Sequence, residues 1–316
     1  MAPSQVLPTR TLGKSGPEVP ALRFGLMGLS AFYGTPESDE ERFKILDRAY
    51  DLVETFWDSA DIYQDSEDLV GKVDSTPQYC KQACEKSLKR LGVEQIDLYY
   101  CHRVDQKTPI EKTAEAMVEL KKEGKIKYLG LSEISSDTLR RACKVHHIDA
   151  VQIEYSPFSI EVEQPQVNLL NTCRELGVAT VAYSPLGRGM LTGAFKSADD
   201  FGEGDFRKFL PRFSTKNFPR NLKLVDGLVS LAKKKGCTPG QLTLAWLLAQ
   251  GDNIIPIPGT KKIKYLEENL GSLDVHLTRG ELQDIRQLVE SAEVHGTRYP
   301  EASMASLFAD TPGLEA

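Results

Sequence analysis

Short apolar runs alternate with longer amphipathic segments along almost the whole chain, and this alternation constrains the fold more than any other feature. The runs at Ala21–Gly25, Thr55–Asp58, Asp97–His102, Tyr128–Ser132, Ala150–Tyr155, Ala179–Tyr183 and Ile254–Ile257 read as strands. Between and after them, Asp39–Val53, Pro77–Leu91, Pro109–Glu123, Ser136–Val145, Gln166–Leu176, Leu222–Lys235, Gln241–Gln250, Lys261–Leu270 and Arg279–Ser291 carry apolar residues at three and four spacing and read as helices. Such alternation without an internal linker implies a parallel sheet with helical crossovers. A dinucleotide-binding open sheet should show Gly-x-Gly-x-x-Gly after its first strand, and Gly25-Leu26-Met27-Gly28 does not fit. The alternative is an α/β chain closed as a (β/α)8 TIM barrel, which expects eight strands at about 31 residues per unit.

Seven strands are recognisable, and the spacing locates the eighth. Strand starts at Asp97, Tyr128, Ala150 and Ala179 lie 31, 22 and 29 residues apart, whereas Thr55 to Asp97 is 42. That interval is long for one unit and short for two. It holds a helix-like turn at Asp65–Gly71 and the Pro77–Leu91 helix, with only Lys72-Val73-Asp74-Ser75-Thr76 between them. The expectation is a barrel missing or distorted at strand 3. It forms one domain over residues 1–316, with 1–20 as an N-terminal extension and 292–316 as a C-terminal tail.

Composition excludes several partner classes. Formal net charge is −6 and the basic residues are scattered, which argues against a nucleic-acid or anionic-membrane partner. The densest basic run, Lys233-Lys234-Lys235, ends a helix before Gly236, where cations complement the carbonyl end. No apolar run is long enough to span a bilayer, and Met1–Gln5 opens no signal-peptide core. Cys80, Cys84, Cys101, Cys143, Cys173 and Cys237 lack paired metal-site spacing, so no metal is expected and a reducing cytoplasm is.

Two strands end on chemically capable groups. Asp58 ends one, with the Tyr63 phenol five residues on, and His102 ends another. Each has a bland reading: Asp58 as a turn cap, Tyr63 as a packing residue, His102 as a satisfied core histidine. Their joint position at strand C-terminal ends, where barrel enzymes place chemistry, favours a site.

The blocks Asp58–Tyr63, Tyr99-Tyr100-Cys101-His102-Arg103-Val104-Asp105, Gly130-Leu131-Ser132, Val151-Gln152-Ile153-Glu154-Tyr155-Ser156, Ala182-Tyr183-Ser184-Pro185-Leu186-Gly187 and Ile257-Pro258-Gly259-Thr260-Lys261-Lys262 together resemble the aldo-keto reductases. Within that superfamily they are similar to the fungal and plant branch with pyridoxal-reductase-like and perakine-reductase-like enzymes. The resemblance implies reduction of small aldehydes and ketones with NADPH. It makes Tyr63 the proton donor, Asp58 its supporting carboxylate and His102 the group orienting the carbonyl. The family's lysine, which ends the third strand, has no counterpart; Lys72 lies only nine residues after Tyr63. Val53 stands where the family usually turns with glycine, and Glu133 where asparagine is commoner.

For the cofactor, the resemblance implies Ser132 and Gln152 on the nicotinamide carboxamide and Tyr183 stacked on its ring. Ser184, Leu186, Gly187 and Arg188 would follow the pyrophosphate. Gly259, Thr260, Lys261 and Lys262 would surround the 2′-phosphate, with Glu268 and Asn269 on the adenine. The long Gly193–Asn221 loop would close over the cofactor, and Tyr33, Tyr299 and Met304 would line the substrate pocket. Two alternatives stand beside a reductase slowed by loss of the lysine: a non-catalytic NADP(H)-binding protein, and an unstable variant from altered splicing or gene prediction.

Overall fold

A computed structural model describes residues 7–30, 32–60 and 73–314. Tyr63, Lys72 and the Asp65–Gly71 turn lie outside these residues. An N-terminal hairpin, β1 (Thr9–Thr11) with β2 (Glu18–Pro20), precedes the barrel. Leu12 and Val19 of this hairpin pack against the barrel interior and plug its floor.

Barrel strands follow: β3 (Phe24–Gly25), β4 (Trp57–Asp58), β5 (Ile96–Cys101), β6 (Ile126–Ser132), β7 (Ala150–Glu154), β8 (Ala179–Tyr183) and β9 (Ile254–Pro256). β5 to β9 form one parallel sheet in sequence order, and β3 pairs in parallel with β4. The backbone N–H groups of Arg23 and Gly25 donate to Pro256 and Pro258 at 3.0 and 3.2 Å, which joins β9 to β3. Gly25 and Gly259 meet there so closely that a Cβ on Gly259 would sit 2.7 Å from the Gly25 carbonyl oxygen. Among the described residues no ladder joins β4 to β5, the seam at which the spacing places the eighth strand.

Alternation along each strand sorts side chains into bore and outer layer. Phe56, Leu98, Tyr100, Tyr128, Ala150, Ala179, Val181, Tyr183 and Ile255 face the bore. Leu129, Leu131, Val151 and Ile153 face the helices and are wholly buried. Local signals fix the helices. Thr76 caps Pro77–Leu91, with Pro at the first turn and left-handed Gly92 at its end. Ser38 caps Asp39–Asp51, and the chain then turns through Val53 at φ 63°. A β-branched residue there is strained.

Elements differ from expectation where no period marks them. The Gly193–Asn221 stretch contains 3-10 turns at Ala198–Asp200, Phe206–Phe209 and Pro211–Phe213, and its helix starts at Phe218 rather than Leu222. It folds around the edge-on rings of Phe201, Phe213 and Phe218. The tail adds a short helix, Glu301–Met304, and Ala309 bridges to Ile134 beyond β6.

Candidate active site

Asp58 ends β4 with its side chain in the bore and 9% of its surface exposed. Its Oδ2 accepts from Gln152 Nε2 at 2.8 Å, joining β4 to β7 across the barrel. Burial pushes its carboxyl up to about 6, against the Gln152 hydrogen bond and the Arg23 charge, which lower it. Gln152 is the register partner of Ser132 on β6, so the two side chains lie abreast.

Ser132 Oγ accepts from Arg103 Nη1 at 2.9 Å and keeps its own O–H to donate. Gln152 spends its N–H on Asp58 and keeps its amide oxygen as acceptor. One donor beside one acceptor complements a primary carboxamide, whose oxygen accepts and whose NH₂ donates. The pair therefore fits the nicotinamide carboxamide on this structure's own donor set.

Tyr183 ends β8 as the register partner of Glu154 on β7. Its O–H donates to Glu133 Oε1 at 2.7 Å and lies 3.3 Å from the Tyr299 hydroxyl. Burial, then the carboxylate of Glu133, holds the phenol well above its ordinary value. Glu133, left-handed at φ 51°, is fully buried and also accepts from Arg298 Nη2 at 2.8 Å. For Arg298, burial alone would lower the pKa, but Glu133, Tyr183 and Glu154 outweigh it and push it up. Glu133 thus ties the C-terminal tail to the barrel mouth. Sequence reasoning missed Arg298, a lone arginine in a segment without periodic pattern.

His102 follows β5 at the exposed rim. Surrounding protein, then the Arg103 cation, lowers its pKa, so the imidazole is neutral near pH 7 and can donate to a carbonyl oxygen. Tyr63 lies outside the described residues.

Further around the mouth, Ser184 at φ 49°, Gly187 at φ 56° and Arg188 at φ 57° form a tight left-handed turn after Tyr183. The Gly187 N–H donates to the Ser184 oxygen and the Gly189 N–H to that of Leu186. Arg188 reaches back to Glu154 at 3.3 Å and lies over the Tyr299 ring. Gly259 and Thr260 follow β9, with Gly259 exposed. Lys261 Nζ donates to the backbone oxygens of Tyr33 and Thr35 at 2.8 and 3.3 Å, tying Tyr33 to this rim and leaving one N–H. Lys262 is exposed before the Ile263–Leu270 helix. Glu268 accepts from Thr238 at 2.7 Å, and Asn269 is buried. Met304 is half-buried at the end of its short helix.

Comparison with known proteins gives the family. A profile described as the Aldo/keto reductase family matches residues 21–75 and 71–290, in two pieces that meet between β4 and β5. The chain is 52% identical to aldo-keto reductase str7 of Strobilurus tenacellus over 336 positions, covering 98% of this chain and 99% of that one. It is 46% identical to aldo-keto reductase yakc [NADP(+)] of Schizosaccharomyces pombe over 339 positions, covering 98% and 99%. Both alignments run longer than the chain's 316 residues, so both relatives carry residues that it lacks. Among solved structures, a thermostable aldo-keto reductase superposes with TM-score 0.71 at 27% identity, covering 89% of this chain and 100% of that one. A glycerol dehydrogenase from Gluconobacter oxydans, at 23% identity and TM-score 0.78 over 94% and 98%, shares the fold. This chain belongs to the aldo/keto reductase family.

Proposed function

We propose that the chain binds NADPH across the C-terminal mouth of its barrel and reduces small aldehydes or ketones to alcohols there, in a reducing cytoplasm. The observation that carries this reading is the Asp58–Gln152 hydrogen bond, which puts the carboxylate at the end of β4 beside the Ser132–Gln152 pair. The nicotinamide supplies the hydride that reaches the carbonyl carbon. Ser132 and Gln152 hold the carboxamide, and Tyr183 offers its ring to the nicotinamide face. The Ser184–Arg188 turn follows the pyrophosphate, while Lys261 and Lys262, with Gly259 and Thr260, meet the 2′-phosphate. Glu268 and Asn269 grip the adenine. Tyr33, Tyr299 and Met304 wall the substrate.

His102, neutral near pH 7, donates to the carbonyl oxygen and fixes its direction. Tyr63 then delivers a proton to that oxygen as negative charge grows on it. A phenol with a pKa of about 10 is a weak acid near neutrality, and with no third-strand lysine beside it turnover is slow.

The test is NADPH oxidation with an aromatic aldehyde. Parent turnover falls by about 10² or more in Tyr63→Phe. Turnover that survives this substitution unchanged would remove Tyr63 from the role. Tight NADPH binding without any turnover would leave the non-catalytic alternative.

A further inference from the structure

One charged side chain has no task in the site described above. Arg23, just before β3, points into the bore: Phe24 packs outward among Leu29, Ile45 and Leu266, so its neighbours in the strand face inward. The residue is 1% exposed. Its Cζ lies 3.2 Å from the centre of the Phe56 ring, which faces the bore two residues before Asp58. The side chain therefore crosses from β3 over β4 towards the seam with β5. Nε, Nη1 and Nη2 all lack a hydrogen-bond partner among the described residues. A buried guanidinium with five unused N–H donors is costly, and a fold keeps one where its charge has a counterpart.

The ionisable groups around it are Asp58 above, Glu54 below on the approach to β4, and Tyr100 of β5 across the seam. Glu54 does not supply that counterpart. Burial pushes its carboxyl up to about 8, so it is neutral at pH 7, and its Oε2 is itself unpartnered. Tyr100 does not supply it either. Its ring is folded against Gly130, where a Cβ would sit 2.4 Å from it, and burial holds its phenol above the ordinary value. Asp58 remains. It faces Arg23 from β4, Tyr100 from β5 and the neutral amide of Gln152 from β7. Carboxylate and guanidinium make no ion pair within 4.0 Å, so the attraction acts across the bore, where low polarisability lengthens its reach.

We propose that Arg23 is a positioning residue for Asp58, adding from the barrel interior a positive charge that works with the Gln152 hydrogen bond to favour the ionised carboxylate beneath the reaction site. The proposal rests on Asp58 belonging to that site. The charge comes from the residue just before β3, on the far side of β4 from the seam with β5.

The test follows Asp58 directly. In protein labelled with ¹³C at the aspartate carboxyls, its resonance is the one lost in Asp58→Asn, and its midpoint is read across pH in the full chain. In Arg23→Met and Arg23→Gln the midpoint rises by about one pH unit or more, since removing a nearby cation favours the protonated acid. Either neutral variant suffices if the other fails to fold. Arg23→Lys keeps the charge and stays near the parent. An unmoved midpoint in the neutral variants would overturn the proposal, as would an equal rise in Arg23→Lys, which would mark packing rather than charge. NADPH oxidation is followed in parallel: absent turnover in the parent sinks the reductase reading, while the carboxyl titration still decides whether Arg23 governs Asp58.

Discussion

The two sides of this barrel meet their buried polar groups with different numbers of partners. On the β6–β8 side, outward residues such as Leu131 and Val151 are wholly buried, and inward Glu133 is met by Tyr183, Arg298 and a backbone N–H. On the β3–β4 side, outward Trp57 is 40% exposed, Arg23 has no hydrogen-bond partner at any guanidinium nitrogen among the described residues, and Glu54 is met by the Phe56 N–H at one oxygen only. A complete wall lets neighbouring strands and the tail converge on one carboxylate. At the β4–β5 seam, where the described residues show no ladder, Arg23 and Glu54 have fewer partners, so desolvation weighs most on their protonation.

The largest effect should come from breaking the paired side. Arg298→Ala strands the fully buried Glu133 carboxylate and should cost about 3–5 kcal/mol, read by urea denaturation. A loss under about 1 kcal/mol would mean that the two sides do not differ as described.

The unpaired side should respond to pH instead. Glu54 ionises near 4.5 in the unfolded chain and about 8 when folded, so between those values the folded state holds a proton that the unfolded state has lost. Stability from this group is full below the lower value and falls as pH rises to the upper one. Glu54→Gln should match the parent near pH 4.5 and exceed it by up to a few kcal/mol near pH 8. Equal pH dependence in both proteins would show that Glu54 is not held neutral.

Much of this contrast was legible in the sequence. Asp58, Ser132 and Tyr183 end apolar runs and Gln152 interrupts one, and barrel geometry brings strand ends together whatever the loops do. The 42-residue interval stood out because strand spacing is nearly periodic, and it spans residues outside the described ones. Val53 was legible too, since a β-branched residue stood at a glycine turn, and it adopts φ 63°. The Glu133–Arg298 pair was not: its members are 165 residues apart and neither position has a local signature. The hairpin of β1 and β2 escaped because three-residue strands are too short to show alternation. Arg23 was visible only as a break in an apolar run, because hydropathy cannot tell a strand's end from a charge buried on purpose.

A smaller test concerns the turn that leads into β4. Val53 is 42% exposed, so Val53→Gly loses little packing and relieves the left-handed strain. It should raise stability by about 1 kcal/mol, a few degrees in thermal unfolding. Destabilisation would show that the exposed valine does packing that its surface conceals.

The most direct measurement is fluorescence titration of the chain with NADPH and with NADH. A mouth built by Ser132, Gln152, Tyr183, Lys261 and Lys262 predicts saturable binding of NADPH, weaker binding of NADH, and convergence of the two when Lys261 and Lys262 are replaced by alanine. Failure of the folded chain to bind either nucleotide would contradict the account.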